Sequence, residues 1–275
     1  MRNALIIFTK VPKAGETKTR LTEARGGILT PEEAKEFYES SLLDVIDACI
    51  ASGSGDIYIC YNIHGDSDYL KKMLQATSNP GAIKGIFPDE GSTFDNGMQY
   101  AFDYIFKDGG ESRLADSAII IGGDAPSIQP LAIKAAADKL EKLSRGPMAM
   151  ACAKRTANTV PEIGGAMIES IDQEGGFNLI GVTYTAPFRF DGVFYNMSGV
   201  TALDMIAFKA AELRLPISIV EMIPDVDLPT DLASLIPILN TLQLAEQYDP
   251  EIIAPKRTIR YLEELGLQAV ATVPK

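Results

Sequence analysis

Apolar and polar positions follow one another in blocks that fit strands and helices in turn. Short apolar runs such as Ala4–Phe8 and Ser117–Ile121 have the length and composition of buried strands. Between such runs, apolar residues recur at helical spacing, as in Thr93–Phe106. This order predicts an α/β protein with three layers, α/β/α, around a mostly parallel central sheet.

The pattern gives seven strands and seven helices. The predicted strands are Ala4–Thr9, Asp56–Tyr61, Ile83–Pro88, Ser117–Ile121, Pro147–Ala153, Phe177–Val182 and Ile217–Met222. The predicted helices are Pro31–Ala51, Asp66–Ala76, Thr93–Phe106, Gln129–Leu143, Gly199–Leu213, Thr230–Leu242 and Pro250–Leu265. Paired glycines interrupt the alternation between Thr156 and Gly192, which we interpret as an excursion that forms part of a site and can add an antiparallel strand.

We expect residues 1–245 to form the main domain and residues 246–275 a helical extension. The extension would pack on the core or on a partner, so assembly into a homo-oligomer stays open. With 275 residues and 46% hydrophobic residues, the chain can build a sizeable core. It has no apolar run of membrane-spanning length and no signal-peptide pattern.

Cysteine and histidine usage narrows the chemistry further. The three cysteines, Cys49, Cys60 and Cys152, lie in apolar runs, which predicts buried free thiols and a cytoplasmic protein. The only histidine is His64, in a polar loop, which argues against a Ser-His-Asp triad and against a multi-histidine zinc site. Catalysis would have to use carboxylates, Lys or Arg, a hard metal ion, or positioning.

The first strand leads into a cationic loop. Residues 1–25 carry a net charge of +4 while the whole chain carries −12, which argues against a nucleic-acid binder and for a small anionic ligand. Lys10, Lys18 and Arg20 can neutralise phosphates, and Gly15 lets the backbone approach. The alternative is a solvated basic loop. The loop lacks the glycines of a Walker A or dinucleotide-binding motif.

Asp124 follows the most apolar strand and two glycines, at the edge of the sheet where ligands bind. A carboxylate there can hold Mg²⁺ or Mn²⁺ and share it with phosphate oxygens. The alternative role is a helix N-cap, which we expect Ser127 to fill instead.

A second acidic cluster, residues 225–231, follows the last predicted strand. Asp225 and Asp227 alternate, so we expect only one of them to face a given side. Asp227 together with Asp124 would make a two-point metal site. The alternative is a turn in which Thr230 or Asp231 begins the next helix.

The third candidate stretch is Glu-Gly-Gly-Phe-Asn, residues 174–178. Gly175 and Gly176 permit close backbone approach to a substrate, with Asn178 beside them. Glu174 could bind a hydroxyl group or act as a general base. The alternative is a hairpin turn with a surface carboxylate.

Together these stretches resemble the DUF2064 family of the nucleotide-diphospho-sugar transferase superfamily. The family's Lys-x-Pro-x-x-Gly-x-x-Lys-Thr-Arg-Leu motif is matched completely by residues 10–21, including Thr19. Its Gly-x-Asp-x-Pro motif is residues 122–126, and its Asp-Gly-Gly-Tyr-x-Leu-x-Gly motif appears in altered form as residues 174–181. The loop and the 225–232 ending also resemble 2-phospholactate guanylyltransferase and molybdenum cofactor guanylyltransferase-like proteins.

The resemblance implies a glycosyltransferase-A (GT-A, Rossmann-like) fold and a transferase with a nucleotide-activated donor. The leading expectation is a metal-dependent glycosyltransferase that uses a nucleotide-sugar and an unidentified acceptor. The alternatives are a nucleotidyltransferase that uses a nucleoside triphosphate and releases pyrophosphate, or a nucleotide-binding protein without turnover. The motif departures, among them Glu174, Phe177 and the Asp95-Asn96-Gly97-Met98 stretch, fall on the acceptor side.

Overall fold

The N-terminal apolar run becomes an inner strand of a seven-stranded sheet. The computed structural model describes residues 1–155, 161–172, 175–194 and 196–270. Their strands are β1 Asn3–Thr9, β2 Asp56–Asn62, β3 Ile83–Asp89, β4 Ser117–Gly122, β5 Met167–Ser170, β6 Leu179–Thr183 and β7 Ile217–Val220. Their helices are α1 Pro31–Ser52, α2 Ser67–Met73, α3 Phe94–Phe106, α4 Pro130–Ser144, α5 Pro147–Lys154, α6 Ala202–Glu212, α7 Pro229–Ala245 and α8 Lys256–Glu264.

The sheet has the strand order β3-β2-β1-β4-β6-β5-β7. The pairs β1–β2, β1–β4, β2–β3 and β5–β7 are parallel, whereas β6 is antiparallel to both β4 and β5. The carboxyl ends of β1, β2, β3, β4, β5 and β7 therefore meet at one edge. The prediction of a mostly parallel sheet with an antiparallel strand in the interrupted segment is confirmed.

Alternate strand residues feed two apolar cores, one on each face. Leu5 and Ile7 of β1 pack into the core beneath α1 and α4, while Ala4 and Ile6 face the core beneath α3 and α6. This division follows from the two-residue period of a strand buried on both sides. The predicted three-layer α/β/α architecture is confirmed.

Local sequence signals set several helix ends. Thr30 and Glu33 form a reciprocal capping box at the start of α1, and Thr93 caps α3 through the backbone N–H of Asn96. All three cysteines are buried and unpaired, as predicted. No helix in these described ranges has both the length and the apolar surface needed to cross a bilayer.

The prediction of a strand at Pro147–Ala153 is wrong, because Pro147–Lys154 is the helix α5. Proline suits the first position of a helix, and the Met-Ala-Met-Ala-Cys-Ala run that follows favours helix over strand. A short apolar run alone does not separate the two. The next strand of the sheet along the chain is β5, which the sequence pattern did not identify.

The final helix begins at Lys256, six residues later than predicted, and packs on α1. Asp44 of α1 accepts hydrogen bonds from the backbone N–H and the hydroxyl of Thr258 at 2.8 Å each, and pairs with Arg257 at 3.1 Å. That residues 246–275 form an extension separate from the main domain stays a prediction.

Glu169 on β5 makes folding sensitive to pH. Its side chain is 5% exposed, its Oε2 has no hydrogen-bond partner among the described residues, and burial raises its pKa to about 7 from 4.5. Between these two values the folded protein holds a proton that the unfolded chain releases, so stability falls as pH rises. Relative to wild type, Glu169→Gln should gain up to about 3 kcal/mol across this range.

Urea unfolding of wild type and Glu169→Gln at acidic and neutral pH measures this difference. A difference in unfolding free energy that stays constant with pH would mean that the Glu169 carboxyl does not titrate in the way its burial implies.

Candidate functional site

A cavity of about 450 Å³ opens at the sheet edge where the parallel strands end. Most of its polar lining comes from the loop after β1, from the residues after β4 and from the segment between β7 and α7. Seven of the site residues predicted from sequence line the cavity. Six lie on these segments: Lys10, Lys18, Thr19, Arg20, Asp124 and Asp227. The seventh is Asn178, just before β6. Gly15, Gly175 and Gly176 are not among its lining residues, and Glu174 lies outside the described residues.

Two glycines place Asp124 at the end of β4. A Cβ on Gly122 would lie 2.7 Å from an Asp124 oxygen, and one on Gly123 would lie 2.7 Å from Leu42. Glycine at both positions therefore lets the chain turn tightly over α1 and brings the Asp124 carboxylate to the cavity. Asp124 does not cap α4. The prediction that Ser127 caps this helix is wrong, because Gln129 occupies the N-cap position and makes no side-chain capping hydrogen bond there.

Lys18 is the central cation of the site. Its Nζ lies 2.8 Å from Asp124 Oδ2 and 2.6 Å from Asp227 Oδ1, and its side chain is only 6% exposed. Its backbone is left-handed, with φ 49° and ψ 39°. A non-glycine residue in this conformation indicates a position held by its surroundings, here by two ion pairs.

Opposite charges in the cluster shift the pKa values of Lys18 and Asp227. Burial opposes the charge of Lys18, but the attraction of Asp124 and Asp227 prevails and raises its pKa. Burial alone would raise the pKa of Asp227, yet Lys18 and Arg20 hold it below the usual value. Arg20 contributes through an ion pair of 3.1 Å with Asp227.

Asp225 joins the same cluster. One carboxylate oxygen from each of Asp124, Asp225 and Asp227 can be chosen so that all lie within 4.8 Å of one another. The expectation that only one of Asp225 and Asp227 faces a given side is wrong, because both carboxylates line the cavity and residues two positions apart in an extended segment share a side. Burial and the charge of Asp124 raise the pKa of Asp225 to about 7.

Two hydrogen-bonding residues hold the 223–228 segment in place. The side-chain amide of Asn178 donates a hydrogen bond to the backbone carbonyl of Ile223 at 2.7 Å. The backbone carbonyl of Asn178 accepts the backbone N–H of Gly122. The Asp231 carboxylate accepts the backbone N–H groups of Asp227 and Leu228 at 3.0 and 2.7 Å. Asn178, predicted to contact substrate, thus also ties the end of β4 to the acidic segment.

Tyr38 of α1 closes the cavity beneath Lys18. Its hydroxyl donates to Thr9 Oγ1 at 2.7 Å, because Thr9 gives its own proton to the Lys10 carbonyl. Its ring lies 5.9 Å from Lys18 Nζ. Burial, together with the charge of Asp124, raises the pKa of Tyr38 to about 12, so it remains a neutral donor.

The three carboxylates have the chemistry of a hard divalent cation site. Mg²⁺ and Mn²⁺ take oxygen ligands, and carboxylates at such mutual distances can share one ion. The ammonium of Lys18 between two of them shows that this position attracts positive charge. Asp124, Asp225 and Asp227 therefore fit the metal implied by the sequence; Asp225 is the member that sequence reasoning did not assign.

The family model described as "Uncharacterized protein conserved in bacteria (DUF2064)" matches residues 45–197, more than half of the 275 residues. A search of the curated proteins found no match. Among solved structures, the fold is similar to that of a proposed nucleotide-diphospho-sugar transferase from Desulfovibrio desulfuricans G20, with TM-score 0.68, 20% identity, and 96% of this chain and 97% of that chain covered. It is also similar to a cytidylyltransferase from Leptospira borgpetersenii, with TM-score 0.53, 10% identity and 100% of both chains covered.

Proposed function

Since this chain belongs to the DUF2064 family, whose sequence model covers more than half of it, we propose that it is a transferase that uses a nucleotide-activated donor. The observation that carries the proposal is the buried Lys18 ammonium between Asp124 and Asp227 at the carboxyl edge of a parallel sheet. Ligands of open α/β sheets bind at this edge. The fold shared with a proposed nucleotide-diphospho-sugar transferase and a cytidylyltransferase supports the same class of donor.

The charges of the cavity support a divalent cation as part of the donor site. Its lining includes three cationic side chains, Lys10, Lys18 and Arg20, all from one loop. It also includes five acidic side chains: Glu16, Asp89, Asp124, Asp225 and Asp227. A diphosphate would meet a net negative cavity, so its binding needs added positive charge.

In the proposed complex, Asp124, Asp225 and Asp227 would hold Mg²⁺ or Mn²⁺. When bound, the ion supplies Lewis-acid stabilisation of the charge that develops on the leaving phosphate oxygens. Lys18 then releases at least one carboxylate and, with Lys10 and Arg20, pairs with donor phosphates. Gly15 and Thr19 belong to the same loop. Gly175, Gly176 and Asn178 stay candidates for the acceptor side.

We favour glycosyl transfer from a nucleotide-sugar, with Glu174 as the proposed base for an acceptor hydroxyl. Among the described residues, every cation that lines the cavity falls within residues 10–20. This supports the choice, since a phosphate-bearing acceptor would need cations of its own. Nucleotidyl transfer with release of pyrophosphate is the second candidate, and the fold shared with a cytidylyltransferase favours it.

Product analysis separates the two reactions. Purified protein is incubated with Mg²⁺ or Mn²⁺ and either nucleotide-sugars or nucleoside triphosphates plus sugar phosphates, and products are resolved by ion exchange. Release of nucleoside diphosphate supports glycosyl transfer, whereas pyrophosphate supports nucleotidyl transfer. Tight nucleotide binding without either product supports a binding protein. An Asp124→Asn sample is the control for contaminating enzymes.

A further inference from the structure

One wall of the cavity is aromatic, and its rings touch in sequence. The aromatic wall consists of Phe8, Phe94, Phe194 and Phe177. Phe94 meets Phe8 edge-on at 5.7 Å between ring centroids and Phe194 edge-on at 4.6 Å, and Phe194 lies 5.5 Å from Phe177. These residues come from β1, from α3 and from two loops, so the wall forms only in the folded chain.

The aromatic wall lies at the margin of the α3 core and stays accessible from the cavity. None of its four rings is fully buried, and Phe94 is 44% exposed. The buried side chains of Met98 and Ile120 line the cavity with it. An accessible ring cluster of this kind exposes apolar area that a ligand can cover.

The wall and the cations occupy different sides of the sheet edge. Phe8 and Thr9 are neighbours on β1 and point to opposite faces; Thr9 bonds to Tyr38 of α1, whereas Phe8 packs with the α3 core. Lys18, the central cation, lies on the Thr9 side, 5.9 Å from the Tyr38 ring, whereas the rings lie on the Phe8 side. In a displacement reaction the acceptor binds outside the phosphate site. It attacks either opposite the leaving group or beside it.

We propose that the aromatic wall binds the acceptor and that this acceptor is an uncharged alcohol or phenol with an apolar ring or hydrocarbon body. This inference rests on the proposed function and names its acceptor class. Among the described residues that line the cavity, no Lys or Arg lies outside residues 10–20. The Asp89 carboxylate at the end of β3 lies against α3, where a Cβ on Gly97 would be 2.5 Å from its Oδ2. An anionic acceptor would find apolar rings and a carboxylate instead of a countercharge.

A matched pair of probes tests the class: 2-naphthol and 2-naphthyl phosphate, which share one ring system and differ in charge. The chain contains no tryptophan, so naphthyl fluorescence anisotropy can be followed without indole emission. We expect 2-naphthol to bind at least tenfold more tightly than its phosphate ester in EDTA, where the phosphate site lacks its metal. Tighter binding of the ester would overturn the proposal.

Variants locate the binding. Phe94→Ala and Phe194→Ala should each weaken 2-naphthol binding roughly threefold to tenfold, the range of one lost aromatic contact. Phe94→Leu, which keeps apolar volume, guards against loss of fold, and Phe208→Ala on α6, 57% exposed, is the matched control that should change nothing. Unchanged naphthol affinity in both alanine variants would refute the wall as its site.

Calorimetry with Mg²⁺ and nucleoside diphosphates runs in parallel and separates this inference from the proposed function. Nucleotide binding without naphthol binding overturns the acceptor assignment and leaves the donor site intact. If the alanine variants lose nucleotide affinity but keep naphthol affinity, the wall stacks the nucleotide base and the acceptor proposal fails.

Discussion

Asp124→Asn is expected to abolish the metal dependence of nucleotide binding while the protein stays folded. The substitution keeps the shape of the side chain but removes one of three clustered carboxylate charges and one of two ion pairs to Lys18. With the metal bound more weakly, the phosphates lose the charge that offsets the acidic cavity lining. We expect the nucleotide Kd at saturating Mg²⁺ to rise at least tenfold, by analogy with charge-assisted contacts of about 1.5–3 kcal/mol.

The matched control is Asp116→Asn. Asp116 stands just before the other end of β4 and pairs with Arg2 and Arg113, each at 3.0 Å, far from the carboxyl edge. Its loss should lower the melting temperature without changing nucleotide affinity. Equal nucleotide affinities for Asp124→Asn and wild type, measured by titration calorimetry with and without Mg²⁺, would show that Asp124 does not take part in metal binding.

Lys18→Met should lower the melting temperature of the metal-free protein, and added metal should restore it. If the basic loop were simply solvated, removing Lys18 would leave stability unaffected, but the structure buries Lys18 between two carboxylates. Without the ammonium these carboxylates lose their countercharge, and removing one partner of a buried pair is strongly destabilising. The melting temperature should therefore fall in EDTA and recover when Mg²⁺ or Mn²⁺ is added.

The same variant should bind metal more tightly and nucleotide more weakly. Mn²⁺ no longer competes with the ammonium for Asp124 and Asp227, whereas donor phosphates lose a charged contact worth about 1.5–3 kcal/mol. Lys13→Met is the control, because Lys13 belongs to the same loop but is 66% exposed and, among the described residues, forms an ion pair with nearby Glu16 alone. Electron paramagnetic resonance of Mn²⁺ measures the metal affinity. A Lys18→Met protein as stable in EDTA as wild type, with unchanged Mn²⁺ affinity, would contradict the role given to this lysine.

The sequence was sufficient to place Lys18 and Asp124 at one site, because carboxyl ends of parallel strands share an edge and both residues follow apolar strand runs. Their direct contact was not predictable, since it joins residues 106 positions apart through the packing of α1 under the β4 turn. Asp225 was assigned no role because only one of Asp225 and Asp227 was expected to face the site, although residues two positions apart in an extended segment share a side.

No local sequence pattern indicated the aromatic wall. Its rings come from four separate segments, and Phe94 and Phe8 individually fit the pattern of core residues. Likewise, the run after Pro147 matched a strand in length and apolarity, and only helix propensity distinguished it. Tertiary packing decides such cases.

Calorimetric titration of the wild-type protein with a panel of nucleoside diphosphates, in Mg²⁺ or Mn²⁺ and again in EDTA, tests the central claim most directly. If the cavity joins the cationic loop to a carboxylate metal site, at least one nucleotide should bind in metal with an affinity at least tenfold higher than in EDTA. Equal affinities in both conditions, or no binding by any nucleotide, would contradict a metal-dependent nucleotide site in this protein.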